Sequence, residues 1–409
     1  MPSSPPYPET ARRPGWSALP VGLRAALADR LGAPVVAARA ATDGFTRGFA
    51  GLLTAADGGR VFVKAAPGDS HLTHWYAREA AILDRLPGDV PAPRPRWTLH
   101  EAGWFALGLD VVDGHPPRRP SDPAELATIL AAYADLATAL ADPPDDLAAL
   151  GPPHLADLAR DDILRWRDVA AGRETVPALP AGLARRLPEL VALESRLPEY
   201  AAGAPGLIHG DLRPDNVLLD RDGRVWFCDW TWLCHGPAWF DLVTLLLGGY
   251  EPDNRGESPG ATGRAAASAV DPPGPAPGLP GPTAPAPDLP APAAPAPDLP
   301  APAAPAPDLP GPASPAPDEL GSASPDMLGP AALDVLGPAV PGLDAAFAAH
   351  PAAADAPPDV LDVTLAALAG YFLTTASSVP DTATEHLAVH QRRSGEAALA
   401  WLARRQGWA

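Results

Sequence analysis

Residues 208–216 read Ile208-His209-Gly210-Asp211-Leu212-Arg213-Pro214-Asp215-Asn216, and thirteen residues beyond Asn216, at the end of an apolar run, stands Asp229. These residue types at this spacing suit phosphoryl transfer, in which a catalyst mainly positions groups and neutralises charge. Asp211 is placed to take a proton from a hydroxyl. Asn216 and Asp229 offer the hard oxygen ligands that Mg²⁺ requires around ATP phosphates. Arg213 could reach the γ-phosphate, Pro214 stiffens the loop and Gly210 permits a tight backbone. His209 reads as a structural hydrogen-bonding residue that holds the turn. Asp229 follows Arg224-Val225-Trp226-Phe227-Cys228, a strand reached through the turn Asp222-Gly223. Taken alone it would be an ordinary carboxylate capping a turn; with the loop at this distance, a metal ligand is the stronger reading.

A cation for the nucleotide phosphates is suggested by an oddity of composition. Of the 30 basic residues 29 are Arg, and the single lysine is Lys64, within Arg60-Val61-Phe62-Val63-Lys64-Ala65. In a chain biased against lysine, a retained one needs a reason. A compact ammonium on a thin stem fits between α- and β-phosphates where a planar guanidinium fits poorly. Glu79, fifteen residues on, could orient it by an ion pair or lie on a solvated helix face. Gly44 and Gly48, in Gly44-Phe45-Thr46-Arg47-Gly48-Phe49-Ala50-Gly51, stand where a phosphate-covering loop is expected, with a plain hairpin as the alternative.

These residues need elements to position them. Strands are expected at about 34–41, 49–55, 60–65, 96–100 and 104–111, the second and third joined through the hairpin signal Asp57-Gly58-Gly59, with one helix at 74–86 between. The adenine would then meet the link between lobes near Gly108 to Val112. Downstream the pattern turns helical. Asp122 can cap, Pro123 suits the first position, and Leu126, Ile129, Leu130, Tyr133 and Leu136 share a face. Further helices are expected at 155–171, 182–199, 239–248, 359–377 and 382–405. The fold class is therefore α+β: a small β-rich lobe and a larger helical one. The expected division is a disordered tail at 1–20, an N-lobe at 21–112, the first part of a C-lobe at 113–250, a low-complexity linker at 251–342 and terminal C-lobe helices at 343–409.

The linker is read from composition. Residues 251–345 hold 26 of the 57 prolines, and a ten-residue unit recurs from Ala284, Ala294 and Ala304. So much proline and so few large apolar groups leave too little to offset chain entropy, so an extended or disordered spacer is expected. The same stretch carries twelve Asp or Glu against Arg255 and Arg264, hence -10 of the formal net charge of -19. An acidic chain without basic clusters argues against nucleic acid or an anionic membrane as partner. Cys228 and Cys234 fit neither a disulfide framework nor a C-x-x-C site and read as quiet thiols in a reducing compartment. The Pro- and Ser-rich start shows no secretory apolar run, and no stretch reaches the ~18 apolar residues of a membrane span, so a soluble cytoplasmic protein is expected.

The loop, Asp229-Trp230 and the following Gly236-Pro237-Ala238-Trp239-Phe240-Asp241-Leu242 resemble the aminoglycoside phosphotransferase and choline kinase group. The likeness runs from about residue 33 to 250 and resumes from 343 to 407. It implies a protein-kinase-like bilobal fold, Asp211 as catalytic base, Asn216 and Asp229 as metal ligands and Asp241 as a structural carboxylate. Only eleven residues separate Asp229 from Asp241, too few for a peptide-docking activation segment, so the expected acceptor is a small molecule with a hydroxyl. Asp359, Asp362, Glu385 and Glu396 could attract an amine or be plain helix charges. The expected activity is ATP-dependent transfer of the γ-phosphoryl to that hydroxyl. An aminoglycoside-like antibiotic and a metabolic amino alcohol or sugar both remain open as acceptors. A nucleotide-binding regulator is the reading from another class, disfavoured because a binding module need not keep its base.

Overall fold

A computed structural model of the protein describes residues 12–41, 44–118, 122–175, 179, 181–248, 342–378 and 383–408. All of them belong to one unit, 1–254 with 328–409; a second unit, 255–327, lies outside them. The expected linker, Gly342 apart, and the first eleven residues of the expected tail also lie outside the described residues.

Five strands, β1 (Val35–Ala40), β2 (Phe49–Ala55), β3 (Arg60–Pro67), β4 (Pro95–Glu101) and β5 (Trp104–Leu109), form an antiparallel sheet of order β1-β2-β3-β5-β4. The pleat decides which side chain goes where. In β3, Val61, Val63 and Ala65 are buried with Phe49, Leu53, Leu19, Leu23 and Leu27, and the intervening Lys64 must point to the other face. Its neighbours in register are Ala50 of β2 and Leu107 of β5. At the β2–β3 turn Gly58 takes φ +89°, which its lack of a Cβ permits.

Helix α1 (Val21–Leu31) was not expected, although Pro20 before it and Gly32, left-handed at φ +82°, after it are ordinary boundary signals. Leu23 and Leu27, one turn apart, close the sheet's core from this side. The expectation of a disordered tail to residue 20 is corrected over 12–20: Leu19 is buried, Trp16 lies 6.5 Å from the Phe49 ring, and Arg13 bonds Thr46 and Gly48. Helix α2 (His71–Arg85) starts at Ser70, whose hydroxyl accepts from Leu72 N. Leu72, Tyr76, Ile82 and Leu83 share its buried face with Glu79. Arg94 closes its far end by donating to the carbonyls of Leu83, Leu86, Pro87 and Val90.

The remainder is mostly helical. Helix α3 (Pro123–Ala139) has the expected cap, Asp122 accepting from Ala124 N at 2.9 Å. The single helices expected at 155–171 and 182–199 are broken. The first contains a π-turn at Ala159–Ile163 and restarts at Trp166, where the buried Glu194 carboxylate accepts from the backbone N–H of Arg165, Trp166 and Arg167. The second restarts behind Pro188 and Pro198, which suit first turns and interrupt interiors. A hairpin of β6 (Val217–Asp220) and β7 (Val225–Phe227) follows, then α4 (Trp239–Gly248), almost wholly buried. Helices α5 (Val360–Thr375) and α6 (His386–Arg405) pack on each other and complete the lobe. Asp344 and Asp362 both pair with Arg405, tying the ends of this layer together. The architecture is the two-lobed α+β arrangement expected.

Candidate active site

The hairpin sets the first half of the site. Val217 pairs with Phe227, and Cys228 N donates to Asn216 O at 2.9 Å, so Asn216 stands opposite Cys228 with Asp229 next along the chain. Thirteen residues of separation thereby collapse to one step across a ladder. The tight end is secured by Asp220, whose carboxylate accepts from Asp222 N, Arg224 N and Trp226 Nε1. At Asp229 the backbone turns left-handed, φ +65° and ψ +62°. Ala102 is the only other non-glycine with positive φ among the described residues. That conformation costs about 1 kcal/mol for an L-residue and is least unfavourable for Asn and Asp. With the chain so turned, the Asp229 carboxylate lies 3.2 Å from Lys64 Nζ.

Lys64 also lies 2.7 Å from each oxygen of Glu79, so the two lobes meet in one ion cluster. Glu79 is almost completely buried. Burial disfavours the Lys64 ammonium, but the carboxylates of Asp229 and Glu79 together outweigh it and hold its pKa above the usual value. Burial likewise works against the Asp229 carboxylate, while Lys64 above all, with Arg213, keeps it ionised and its pKa low. The ion pair that sequence left open for Glu79 is therefore present.

The loop 209–216 is held from below by α4. Asp241 accepts from His209 N at 2.7 Å and Gly210 N at 3.0 Å, and is buried. Gly210 has φ +79°, and a Cβ there would come within 2.3 Å of Trp232 O, so both space and conformation demand glycine. The His209 ring is packed 4.7 Å from Trp230, with Nε2 2.9 Å from Cys228 O and Nδ1 positioned to accept from Asp211 N at 3.4 Å. This network assigns the proton to Nε2. Burial lowers its pKa to about 4, so it stays neutral and structural, as its place before the loop suggested.

Asp211 receives Asn216 Nδ2 on its backbone oxygen at 2.8 Å and on Oδ2 at 3.3 Å, while Arg213 Nη1 lies 2.9 Å from Oδ1. Burial pushes its pKa up to about 7; Asp215 and Asp229 add to the rise, Arg213 and Asn216 oppose it. Arg213 is gripped by Asp215, through Nε at 3.1 Å and Nη2 at 3.0 Å. To reach a phosphate, as its position in sequence suggested, it would have to leave these carboxylates. Asp215 is a partner that sequence reasoning missed, although a fork two residues away was a legible signal.

The expected loop at Gly44 and Gly48 runs into β2. Gly44 has φ +93°, and a Cβ on Gly48 would lie 2.4 Å from the Tyr76 hydroxyl, so both glycines have a structural reason to be there. Phe45, between them, lies over Arg213 at 5.9 Å. The acidic residues considered for an amine are mostly occupied: Asp359 pairs with Arg196, Asp362 with Arg405 and Glu385 with Arg12. Burial raises the Tyr371 phenol of α5, and Asp211 and Asp162 raise it further against Arg165 and Arg213. Tyr371 therefore lies within electrostatic range of Asp211; nothing in its sequence surroundings marked it. Cys228 and Cys234 are free, and burial raises Cys228 to about 12, so the thiols stay protonated.

Among the described residues no group of three or more His, Cys, Asp or Glu could hold a metal ion by itself. One ionised carboxylate beside one side-chain amide suits Mg²⁺, which is commonly bound by one or two carboxylates and takes its other ligands from water and phosphates. Among the described residues no helix is long and apolar enough to cross a membrane.

The sequence model of the APH phosphotransferase enzyme family matches residues 49–277. No curated protein matches the chain. Among solved structures, a thermostable mutant of aminoglycoside phosphotransferase APH(4)-Ia, in ternary complex with ADP and hygromycin B, is 16% identical, with 55% of this chain and 76% of that one covered at TM-score 0.40. Macrolide 2'-phosphotransferase MphH from Brachybacterium faecium is 19% identical, with 55% and 76% covered at 0.40. A putative fructosamine-3-kinase from Haemophilus somnus is 13% identical, with 56% and 76% covered at 0.37.

Proposed function

Because the chain belongs to the APH phosphotransferase enzyme family, whose model spans more than half of its 409 residues, we propose that it transfers the γ-phosphoryl of ATP to a hydroxyl of a small molecule. The observation that carries this reading is the convergence, from both lobes, of the only lysine with Glu79 and Asp229, beside a loop whose Asp211 is poised near neutrality.

In this reading Lys64 holds the α- and β-phosphates, oriented by Glu79. Asn216 and Asp229 would hold Mg²⁺, which when bound offsets phosphate charge. The acceptor oxygen forms its bond to the γ-phosphorus as the bond to the β,γ-bridging oxygen breaks, and ADP leaves. Asp211 receives the hydroxyl proton; a base with pKa about 7 is half ionised at neutral pH and so close to the optimum for proton transfer. The segment from Asp229 to Asp241 supports a small acceptor. It contains a short turn at Trp230–Trp232 and a two-residue strand, Cys234–His235, before α4 begins, which leaves no platform for a peptide.

The test is a panel of amino-sugar, macrolide, amino-alcohol and sugar hydroxyls offered with labelled ATP. Asp211→Asn should abolish transfer to whichever is accepted while sparing Mg-ADP binding. Equal turnover by wild type and variant would refute the assignment of Asp211, and nucleotide binding without transfer to any hydroxyl would favour a regulator.

A further inference from the structure

A phenylalanine between two glycines in a surface turn ought to be exposed, yet Phe45 is only 7% exposed. Its cover comes from the far end of the chain. Thr384 N donates to Phe45 O at 2.7 Å, Arg47 Nε donates to Ala383 O at 2.7 Å, and Thr46 and Ala383 form an antiparallel β-bridge. The His390 ring of α6 packs 4.8 Å from the Phe45 ring, and the Arg213 guanidinium lies 5.9 Å from the same ring. Thr384 itself is fully buried. A second clamp comes from before α1, where Arg13 Nη1 donates to Thr46 Oγ1 at 3.1 Å and Gly48 O at 3.3 Å, and the neighbouring Arg12 pairs with Glu385. The glycine loop is thus tied to the segment leading into α6 by the Thr384–Phe45 backbone bond and Arg47, and to the segment before α1 by Arg13.

Resting on the phosphotransferase reading above, we propose that residues 383–390 are a strap that holds loop 44–48 shut over the catalytic loop, with Phe45 as the seal that keeps water from the γ-phosphate. The reaction held back is hydrolysis. A water oxygen would bond to the γ-phosphorus, the bond to the β,γ-bridging oxygen would break, and ADP and inorganic phosphate would leave, the proton passing through Asp211 to solvent. A phosphotransferase without such a seal consumes ATP whenever no acceptor is bound. Phe45 supplies an apolar surface beside Arg213, the partner of Asp211, and the strap supplies the bonds that keep it there.

The experiment uses the full chain and needs no acceptor. Hydrogen–deuterium exchange over 44–49 and 383–390 is compared for wild type, Phe45→Ala, the surface change Arg47→Ala, and Thr384→Pro, which deletes the bonded N–H. Phosphate release from Mg-ATP and Mg-ADP affinity are then measured on the same proteins. The strap predicts faster exchange of both segments in every variant, phosphate release raised on the order of tenfold in Phe45→Ala, a smaller rise in Arg47→Ala, and Mg-ADP affinity retained. Unchanged exchange in Arg47→Ala and Thr384→Pro overturns the strap whatever the nucleotide result. Faster exchange with unchanged phosphate release, or with loss of Mg-ADP binding, overturns the sealing role. A wild type that binds no nucleotide overturns the phosphotransferase reading itself, and the seal with it, while the exchange data still report on the strap.

Discussion

Arg213 has two incompatible expected roles, and a single substitution separates them. In the structure Nη1 lies 2.9 Å from Asp211 Oδ1, and Arg213 is the strongest influence lowering an Asp211 pKa that burial has raised to about 7. Replacing it by Gln removes a full positive charge from contact distance, which is worth about 1–3 pKa units for a carboxylate. With the smallest of these, the midpoint moves to about 8, and the ionised fraction at pH 7 falls from about one half to about one tenth. The base form would therefore be about fivefold scarcer at pH 7 and almost fully restored at pH 9. The assay is ¹³C titration of the Asp211 carboxyl in wild type and Arg213→Gln, followed by the pH dependence of transfer once an acceptor is known. The sign for stability follows from the same shift. A folded pKa raised above the unfolded value near 3.8 means that the folded protein holds a proton that the unfolded chain releases, so Asp211's favourable contribution is present at low pH and lost as pH rises through about 7. In the variant that loss continues to higher pH. A midpoint that stays at or below the wild-type value refutes the electrostatic reasoning, and a loss of transfer equal at pH 7 and pH 9 would assign Arg213 to the phosphate instead.

Two further outcomes are expected. Lys64→Arg, nominally conservative, should weaken Mg-ADP at least about tenfold, because the site closes on a compact ammonium held 2.7 Å from both Glu79 oxygens; calorimetry giving wild-type affinity would show that the lysine is not a phosphate ligand. Glu194→Ala should lower stability by about 1–3 kcal/mol, since it takes a buried acceptor away from the N–H groups of Arg165, Trp166 and Arg167, that of Trp166 being itself buried. Glu194→Gln, which keeps an acceptor, should lose less, and equal denaturant midpoints for all three proteins would discredit that account.

Local signals read well where a single rule governed. The strand β2 begins and ends at the residues expected, because alternation and the Asp57-Gly58-Gly59 turn act on neighbouring residues. The α3 start follows from Asp122 and Pro123 in the same way. Long helices were over-extended where a distant group intervened. Glu194 restarts the chain at Trp166 from 28 residues away, a bond that no window around 155–171 contains. Arg94 was invisible for the same reason, as were the partners of Asp359 and Glu385: a charge in sequence does not announce which opposite charge will be folded against it.

By itself the sequence determined which residues are the candidates for the proposed site. Asp211, Asn216 and Asp229 at their spacings, and a lone lysine on a strand, were legible because their chemistry depends on residue type and on distances along a short loop and hairpin. It also determined the parity that sends Lys64 to the face opposite Val61 and Val63, since the side chains of a strand alternate. Tertiary structure alone decided the state of those residues. Burial raises Asp211, packing turns Asp229 left-handed, and the segment after α5 closes over Phe45. Each is a property of surroundings assembled from parts of the chain tens to hundreds of residues apart, and solvent exclusion and charge proximity exist only once those parts have met.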